Sequence, residues 1–250
     1  MATDYPTHFY KYQSADDRAI QNLLECKAVF SSRLNFNDPF DCHIRLIEPT
    51  PEETVILLAS NQGKYDHYFK GKEFEEGRQA LILNANKAFN KMINNYTFYC
   101  LSSSGKNNLM WSYYADAHKG FCIEFKADTI SADKVSYEKS LPFIKLADFL
   151  GTDENHLDLG KNIWTALRLK LDEWKHEDEY RFQPDNSMQS VSILDDGMGK
   201  IFTYPPDWIE SIIFGYRASP DTINRITKDL PKARFKKASP LNGTIDIVDL

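Results

Sequence analysis

The stretch FYKYQSADDRAIQNLLECKAVFSS, residues 9–32, changes periodicity twice along its length. Residues 9–13 read as a short strand. Ser14 then supplies an N-cap, with Asp16 and Asp17 in the first turn, where the positive end of a helix dipole favours carboxylates. Ile20, Leu23, Leu24 and Lys27 come next at helical spacing and predict one apolar face with a charged end. Residues 28–31 read as the next strand, which empties into an acidic polar turn over residues 33–41.

Outward from this unit the alternation stays irregular. Thr50 caps a second helix with Pro51 at its first position and Glu52 and Glu53 at its positive end. Phe74, Leu81, Ala85, Ala88, Phe89 and Met92 predict a third, so residues 51–95 read as a helical insertion. Residues 96–101 and 121–126 are rich in strand formers, with a compact helical stretch between them over residues 107–118, stopped by Gly120. Ile163, Leu167, Leu171 and Trp174 recur at helical spacing across residues 157–174. Strands are predicted at 179–182, 200–204, 211–214, 233–238 and 244–248, with a helix capped by Ser219 and opened by Pro220. Strands and helices mixed in this way predict an α+β fold: a mixed, mostly antiparallel sheet core with flanking helices, in a single domain over residues 1–250.

Composition sets limits on function. With 42% hydrophobic and 26% charged residues the chain is ordinarily globular, and an aromatic share of 13% points to a core or cleft built from rings. A net charge of -6 argues against a globally basic nucleic-acid binder while leaving room for a local basic groove. The longest apolar run, Val55-Ile56-Leu57-Leu58-Ala59, is far short of the roughly 20 residues that cross a bilayer. The start, Met1-Ala2-Thr3-Asp4-Tyr5-Pro6, has neither the basic nor the apolar region of a secretory signal. A cytoplasmic location is the resulting expectation, with Cys26, Cys42, Cys100 and Cys122 as free thiols. Their spacing fits no zinc site, and no metal is expected. Gly197-Met198-Gly199 reads as a turn rather than a phosphate loop.

Three constellations carry chemistry. The Asn37-Asp38-Pro39-Phe40-Asp41 loop gathers two carboxylates and an amide in a turn stiffened by Pro39 and pinned by Phe36 and Phe40. It suits a ribose hydroxyl, a metal ion or a cationic side chain, or it is an Asx turn that caps the next segment. Trp111, Tyr114, Ala115 and His118 fall at i, i+3, i+4 and i+7, so one helix face presents an indole, a phenol and an imidazole able to sandwich a planar heterocycle. The same stripe equally fits a core. Glu177, Glu179 and Arg181 alternate along the start of a strand and share one side of it. Unless paired they are costly to bury, so that side is expected to line a cleft or solvent.

Tyr10-Lys11-Tyr12, Phe36 to Cys42, Met110 to Asp116, His118-Lys119-Gly120, Trp174 with Glu177 to Arg181, and Phe214-Gly215 together resemble a bacterial family known as domain of unknown function 2971. Families of this sort often supply toxins or phage-defence effectors. In layout the chain is also similar to the ADP-ribosyltransferases, which split NAD and pass ADP-ribose to an acceptor. That resemblance implies NAD as a substrate, Lys11 or Tyr12 orienting it, Trp111 or Tyr114 stacking on it, and Glu179 as the catalytic carboxylate. Glu177 would serve the acceptor, Arg181 on the same face would join them in the catalytic set, and Asn37, Asp38, Asp41 and His118 would complete the binding set. Two other readings stay open: a divalent-metal nuclease or phosphoryl hydrolase using Asp38, Asp41, Glu177 and Glu179, and a non-catalytic module that binds a nucleotide or peptide.

Overall fold

Phe9, Phe30, Phe121, Phe125, Phe182 and Phe214 are almost wholly removed from water and centre the largest core of the molecule. Each such ring contributes roughly 1.5–3 kcal/mol on burial. The computed structural model describes residues 5–151, 156–194 and 199–250. In chain order the strands are β1 (His8–Gln13), β2 (Lys27–Ser31), β3 (Arg45–Ile47), β4 (Tyr99–Ser102), β5 (Phe121–Lys126), β6 (Ala132–Lys134), β7 (Ser136–Glu138) and β8 (Phe143–Lys145). They continue with β9 (Leu169–Leu171), β10 (Glu179–Phe182), β11 (Gln189–Ile193), β12 (Gly199–Thr203), β13 (Ile209–Phe214), β14 (Phe235–Leu241) and β15 (Thr244–Asp249). The α-helices are α1 (Asp17–Leu24), α2 (Pro51–Ser60), α3 (Phe74–Asn94), α4 (Asn108–Tyr114), α5 (Leu146–Leu150), α6 (His156–Leu167) and α7 (Pro220–Asp229).

The chain falls into two compact units, residues 1–35, 97–135 and 173–250 in the first and residues 36–96 and 136–172 in the second. The first holds an eight-stranded sheet in the order β15-β14-β13-β5-β1-β4-β10-β6 and a three-stranded sheet β11-β12-β2. All pairings in both sheets are antiparallel except β13 with β14. This is the expected mixed, mostly antiparallel α+β architecture. The second unit holds α2, α3, α5 and α6 with two small parallel pairs, β3-β8 and β7-β9. The helical block 51–95 therefore belongs to a unit that also takes in residues 136–172.

In the first unit both faces of the large sheet are buried. On one, Phe9, Leu101, Phe125, Tyr180 and Phe182 pack with Ile20 and Leu23 of α1 and Ile226 of α7. On the other, Tyr12, Cys122, Ile213 and Ala238 pack with Met110 and Trp111 of α4. In the second unit Leu57, Leu81, Ile82, Ala85, Leu146 and Leu150 join α2, α3 and α5. Thr50 caps α2 as expected, in a full capping box with Glu53.

Several expectations shift. Asp16, not Ser14, caps α1: its Oδ1 accepts from Ala19 N at 2.8 Å, while the Ser14 hydroxyl donates to the same carboxylate. Lys27 opens β2 instead of closing the helix. Helix α4 stops at Tyr114, because Asp116, Ala117 and His118 all take left-handed φ angles of 45°, 49° and 68°. The helix expected over 157–174 ends at Leu167; Leu171 lies in β9 and Trp174 in a 3-10 helix, Asp172–Glu177. That 3-10 helix also takes Glu177 off the strand, and Asp178 at φ 41° separates it from Glu179. The turn read at Gly197-Met198-Gly199 lies outside the described residues up to Gly199. No helix among the described residues is long and apolar enough to cross a membrane.

Candidate functional site

Register decides which side chains of the first unit share a face. Across the large sheet Tyr10 pairs with Ser102 and Glu124, Glu179 with Ser102, and Ser211 with Glu124, which makes one polar row. One step along, Arg181 pairs with Cys100 and Tyr12 with Cys122. Tyr12, Glu179 and Arg181 thus lie on the face that α4 covers. Lys11 alternates to the other face: its Nζ donates to Cys100 O at 2.9 Å and sits 4.6 Å from the Tyr99 ring centre. Of the two first-strand candidates, only Tyr12 shares a face with Glu179.

At the β10 end of this face two motifs far apart in sequence meet. The Tyr114 hydroxyl donates to Glu177 Oε1 at 2.5 Å, and Arg181 Nε donates to Glu179 Oε1 at 2.8 Å. Ser102 Oγ donates to the Glu177 carbonyl at 2.8 Å, and the Asn107 side-chain amide donates to the His176 carbonyl. Glu177 and Glu179 are 3% and 4% exposed and Arg181 is fully buried, with its guanidinium 5.5 Å from the Phe98 ring centre. The side expected to line a cleft or solvent unless its charges were paired is buried, and the charges are paired.

The aromatic face changes too. Trp111 is fully enclosed, its indole N–H donating to Gly105 O at 2.8 Å and its ring meeting Tyr12 edge-on at 5.1 Å. Tyr12 is likewise buried, its hydroxyl donating to Ser104 O at 2.7 Å, and burial raises its pKa. Trp111 and Tyr12 are packed into the core and present no surface for stacking. Of the predicted stripe, Tyr114 reaches the carboxylates, at Glu177.

His118 lies beyond the helix, folded back beside Trp111 with ring centres 6.2 Å apart and planes at 11°. Three left-handed residues cost of order 1 kcal/mol each, and a set of backbone bonds holds them. His118 N donates to Trp111 O at 3.1 Å, Gly120 N to Ala115 O at 2.8 Å, and Arg217 N to His118 O at 3.1 Å. Gly120 and Gly215 permit this: a Cβ on Gly120 would lie 2.0 Å from Gln13 O, and one on Gly215 would lie 2.1 Å from His118 O. The Ser112 hydroxyl is committed to Asn108 O at 2.9 Å, so in the 3.2 Å contact with His118 it is Nε2–H that donates. His118 Nδ1 is then a bare acceptor, buried with no hydrogen-bond partner among the described residues. Burial, then the positive charge of Arg217, lowers the His118 pKa.

In the middle of the sheet a second polar group surrounds Glu124. It accepts from Tyr10 at 3.0 Å, from Lys236 at 2.6 Å and from Ser211. Burial pulls this carboxyl upward, but the bonds from Lys236 and Ser211 and the Lys236 charge outweigh it and hold the pKa below its ordinary 4.5.

In the second unit the Asn37 to Asp41 loop is an Asx turn, with Asp38 Oδ1 accepting from Phe40 N at 2.9 Å. Asp38 Oδ2 is buried without a hydrogen-bond partner among the described residues. Asp41 pairs with Lys170 of β9 at 3.1 Å, both side chains being buried, and Cys42 Sγ donates to Leu167 O at 3.4 Å. Asn37 and Phe40 are exposed, so Phe40 does not pin the loop from within. Lys170 is a residue that sequence reasoning passed over; its signal was a single cation between Leu169 and Leu171 in a strand. Ser102 and Asn107 were missed for a different reason, since their roles are set by register and capping across long sequence separations, and Lys236, which beside Lys237 reads as part of a solvated charge pair, is instead half-buried against Glu124. Among the described residues no three His, Cys, Asp or Glu side chains gather as a metal ion needs.

Taken together, the first unit is an antiparallel-sheet α+β domain with a paired, buried acid–base cluster at one end of its sheet. Residues 110–182 match a family model described as "Protein of unknown function (DUF2971)", which supports the resemblance over that stretch. The match opens at the start of the Met110 motif and closes on β10, so it spans Trp111, Tyr114, His118, Glu177, Glu179 and Arg181 and leaves out Lys11, Tyr12, Asn37, Asp38 and Asp41. No curated protein and no solved structure matches the chain.

Proposed function

We propose that the chain is an enzyme that cleaves NAD at the nicotinamide-ribose bond and transfers ADP-ribose, with Glu179 and Glu177 as its working carboxylates. The observation that supports this reading is the convergence of Tyr114, Glu177, Glu179 and Arg181. Burying two carboxylates and a guanidinium costs several kcal/mol per ion before pairing, and such arrangements concentrate at functional sites. In this reading Arg181 fixes the Glu179 carboxylate in one orientation. Once the substrate uncovers it, Glu179, 4% exposed here, hydrogen-bonds the ribose and stabilises the positive charge that develops there as nicotinamide leaves. Glu177, gripped by the Tyr114 phenol, takes the proton of the acceptor nucleophile. Tyr12 replaces Lys11 as the first-strand member, acting by supporting Trp111 and not by touching substrate.

Purified protein incubated with NAD should release nicotinamide, read by mass spectrometry. Glu179→Gln should abolish release, and Lys11→Met, on the opposite face, should retain it. Absence of both NAD binding by calorimetry and nicotinamide release in the wild type would overturn the reading.

A further inference from the structure

We infer that Tyr113, His176 and Trp174 form a stacking platform for the purine base of a nucleotide, set beside the carboxylate cluster. The inference deepens the nucleotide reading of that site and rests on it. Neighbouring residues of α4 diverge: Tyr114 turns inward to Glu177, while Tyr113 turns outward and is 62% exposed. The partners diverge in the same way, since the Tyr113 ring meets the His176 ring at 6.0 Å, one residue before Glu177. Trp174 continues the surface, its ring 5.9 Å from His176 and inclined by 31°. Tyr113 is exposed while Trp174 and His176 beside it are half-buried, so Tyr113, inclined 64° to His176, offers the open ring face and the other two form its edge.

The platform is held in place before any ligand arrives. The Asn107 amide grips the His176 carbonyl, and His176 Nδ1–H donates to Glu173 O at 3.1 Å, which fixes the ring and its tautomer. The same Asn107 caps α4, its Oδ1 accepting from Leu109 N at 2.9 Å and Met110 N at 3.2 Å, so one side chain sets both halves of the surface. Lys175, exposed on the turn between Trp174 and His176, adds a positive charge suited to phosphate. Flat rings beside a cation are the chemistry of a nucleotide, and the adjacent pairs 113/176 and 114/177 put platform and carboxylates on the same two segments, with the two riboses and pyrophosphate of NAD to span from one to the other. Trp111, the ring singled out by helical spacing, is fully buried and cannot take this role.

AMP is the probe, because it carries the base and one phosphate but no scissile nicotinamide bond. Titrating AMP should quench tryptophan fluorescence in the wild type, with a smaller quench in Trp174→Phe, which keeps a ring but loses the indole. Tyr113→Ala, at a position exposed enough to leave folding intact, should weaken AMP binding by about tenfold, within the range of one base-aromatic stack; Tyr113→Phe should bind as the wild type does. Nicotinamide release is a separate readout, so AMP binding with this mutational pattern upholds the platform even if NAD is not cleaved. No AMP-dependent quench at millimolar concentration, or equal AMP affinity in wild type and Tyr113→Ala, overturns it.

Discussion

At Gly120 and Gly215 a hydrogen atom is the largest side chain that fits, for a reason unrelated to φ. Both backbones run against carbonyl oxygens, at 2.0 and 2.1 Å from where a Cβ would stand. A carbonyl oxygen in a paired strand or a pinned loop cannot swing aside as a side chain can. Gly215→Ala should therefore cost about 2–3 kcal/mol, as overpacking in a rigid setting does, measured as a fall in urea midpoint at unchanged slope. His118 makes the same loop sensitive to pH. It packs against Trp111, Tyr216 and Ser112 with Arg217 as the near charge, and its folded pKa lies below the ordinary 6.5. Below 6.5 the unfolded chain binds the proton more readily than the folded one, so this contribution is whole above that pH and shrinks as pH falls toward the folded value. Melting temperatures from pH 8 to 5 should drop across that window, and His118→Gln, which does not titrate, should flatten the drop.

At the scale of elements, helix starts were easier to read than helix ends. Thr50 with Pro51 and Glu53 forms the capping box its spacing announces, whereas at α1 the residue read as the cap, Ser14, stands two positions early and Asp16 takes its place. Asp16→Ala should cost about 1 kcal/mol and Ser14→Ala distinctly less, read from paired thermal melts; an equal cost would mean that the cap is shared. The ends of α4 and α6 were misplaced for physical reasons that spacing does not carry. Ala115 to His118 continue a 3.6 period in sequence, but close contacts through Gly120 and Gly215 favour a left-handed turn that folds His118 back on Trp111. Leu171 continues the period of α6, but its backbone is claimed by the pairing of β9 with β7. Long-range backbone contacts won in both cases, and they leave no local signature.

At the scale of the whole molecule, the α+β class and nearly all strands of the large sheet were legible because each carries its own β-rich run, while the burial of the charged motifs was not. Alternation puts Glu179 and Arg181 on one side of a strand but says nothing of Tyr114, some sixty positions earlier, arriving on Glu177. The fold thus spends stability on a cluster that an apolar core would not need, and this separates its structural worth from its chemical worth. Arg181→Met leaves Glu179 as a buried carboxylate without its guanidinium and should cost about 3–5 kcal/mol. Adding Glu179→Met removes the stranded charge, and because well-packed apolar replacements of buried ion pairs are often neutral, the double variant should recover most of that loss. Urea denaturation of the wild type, the single and the double variant measures the recovery, and nicotinamide release measures the function. Restored stability with lost release identifies a pair kept for chemistry. Restored stability with release intact would assign the pair to packing alone and move the working carboxylate elsewhere.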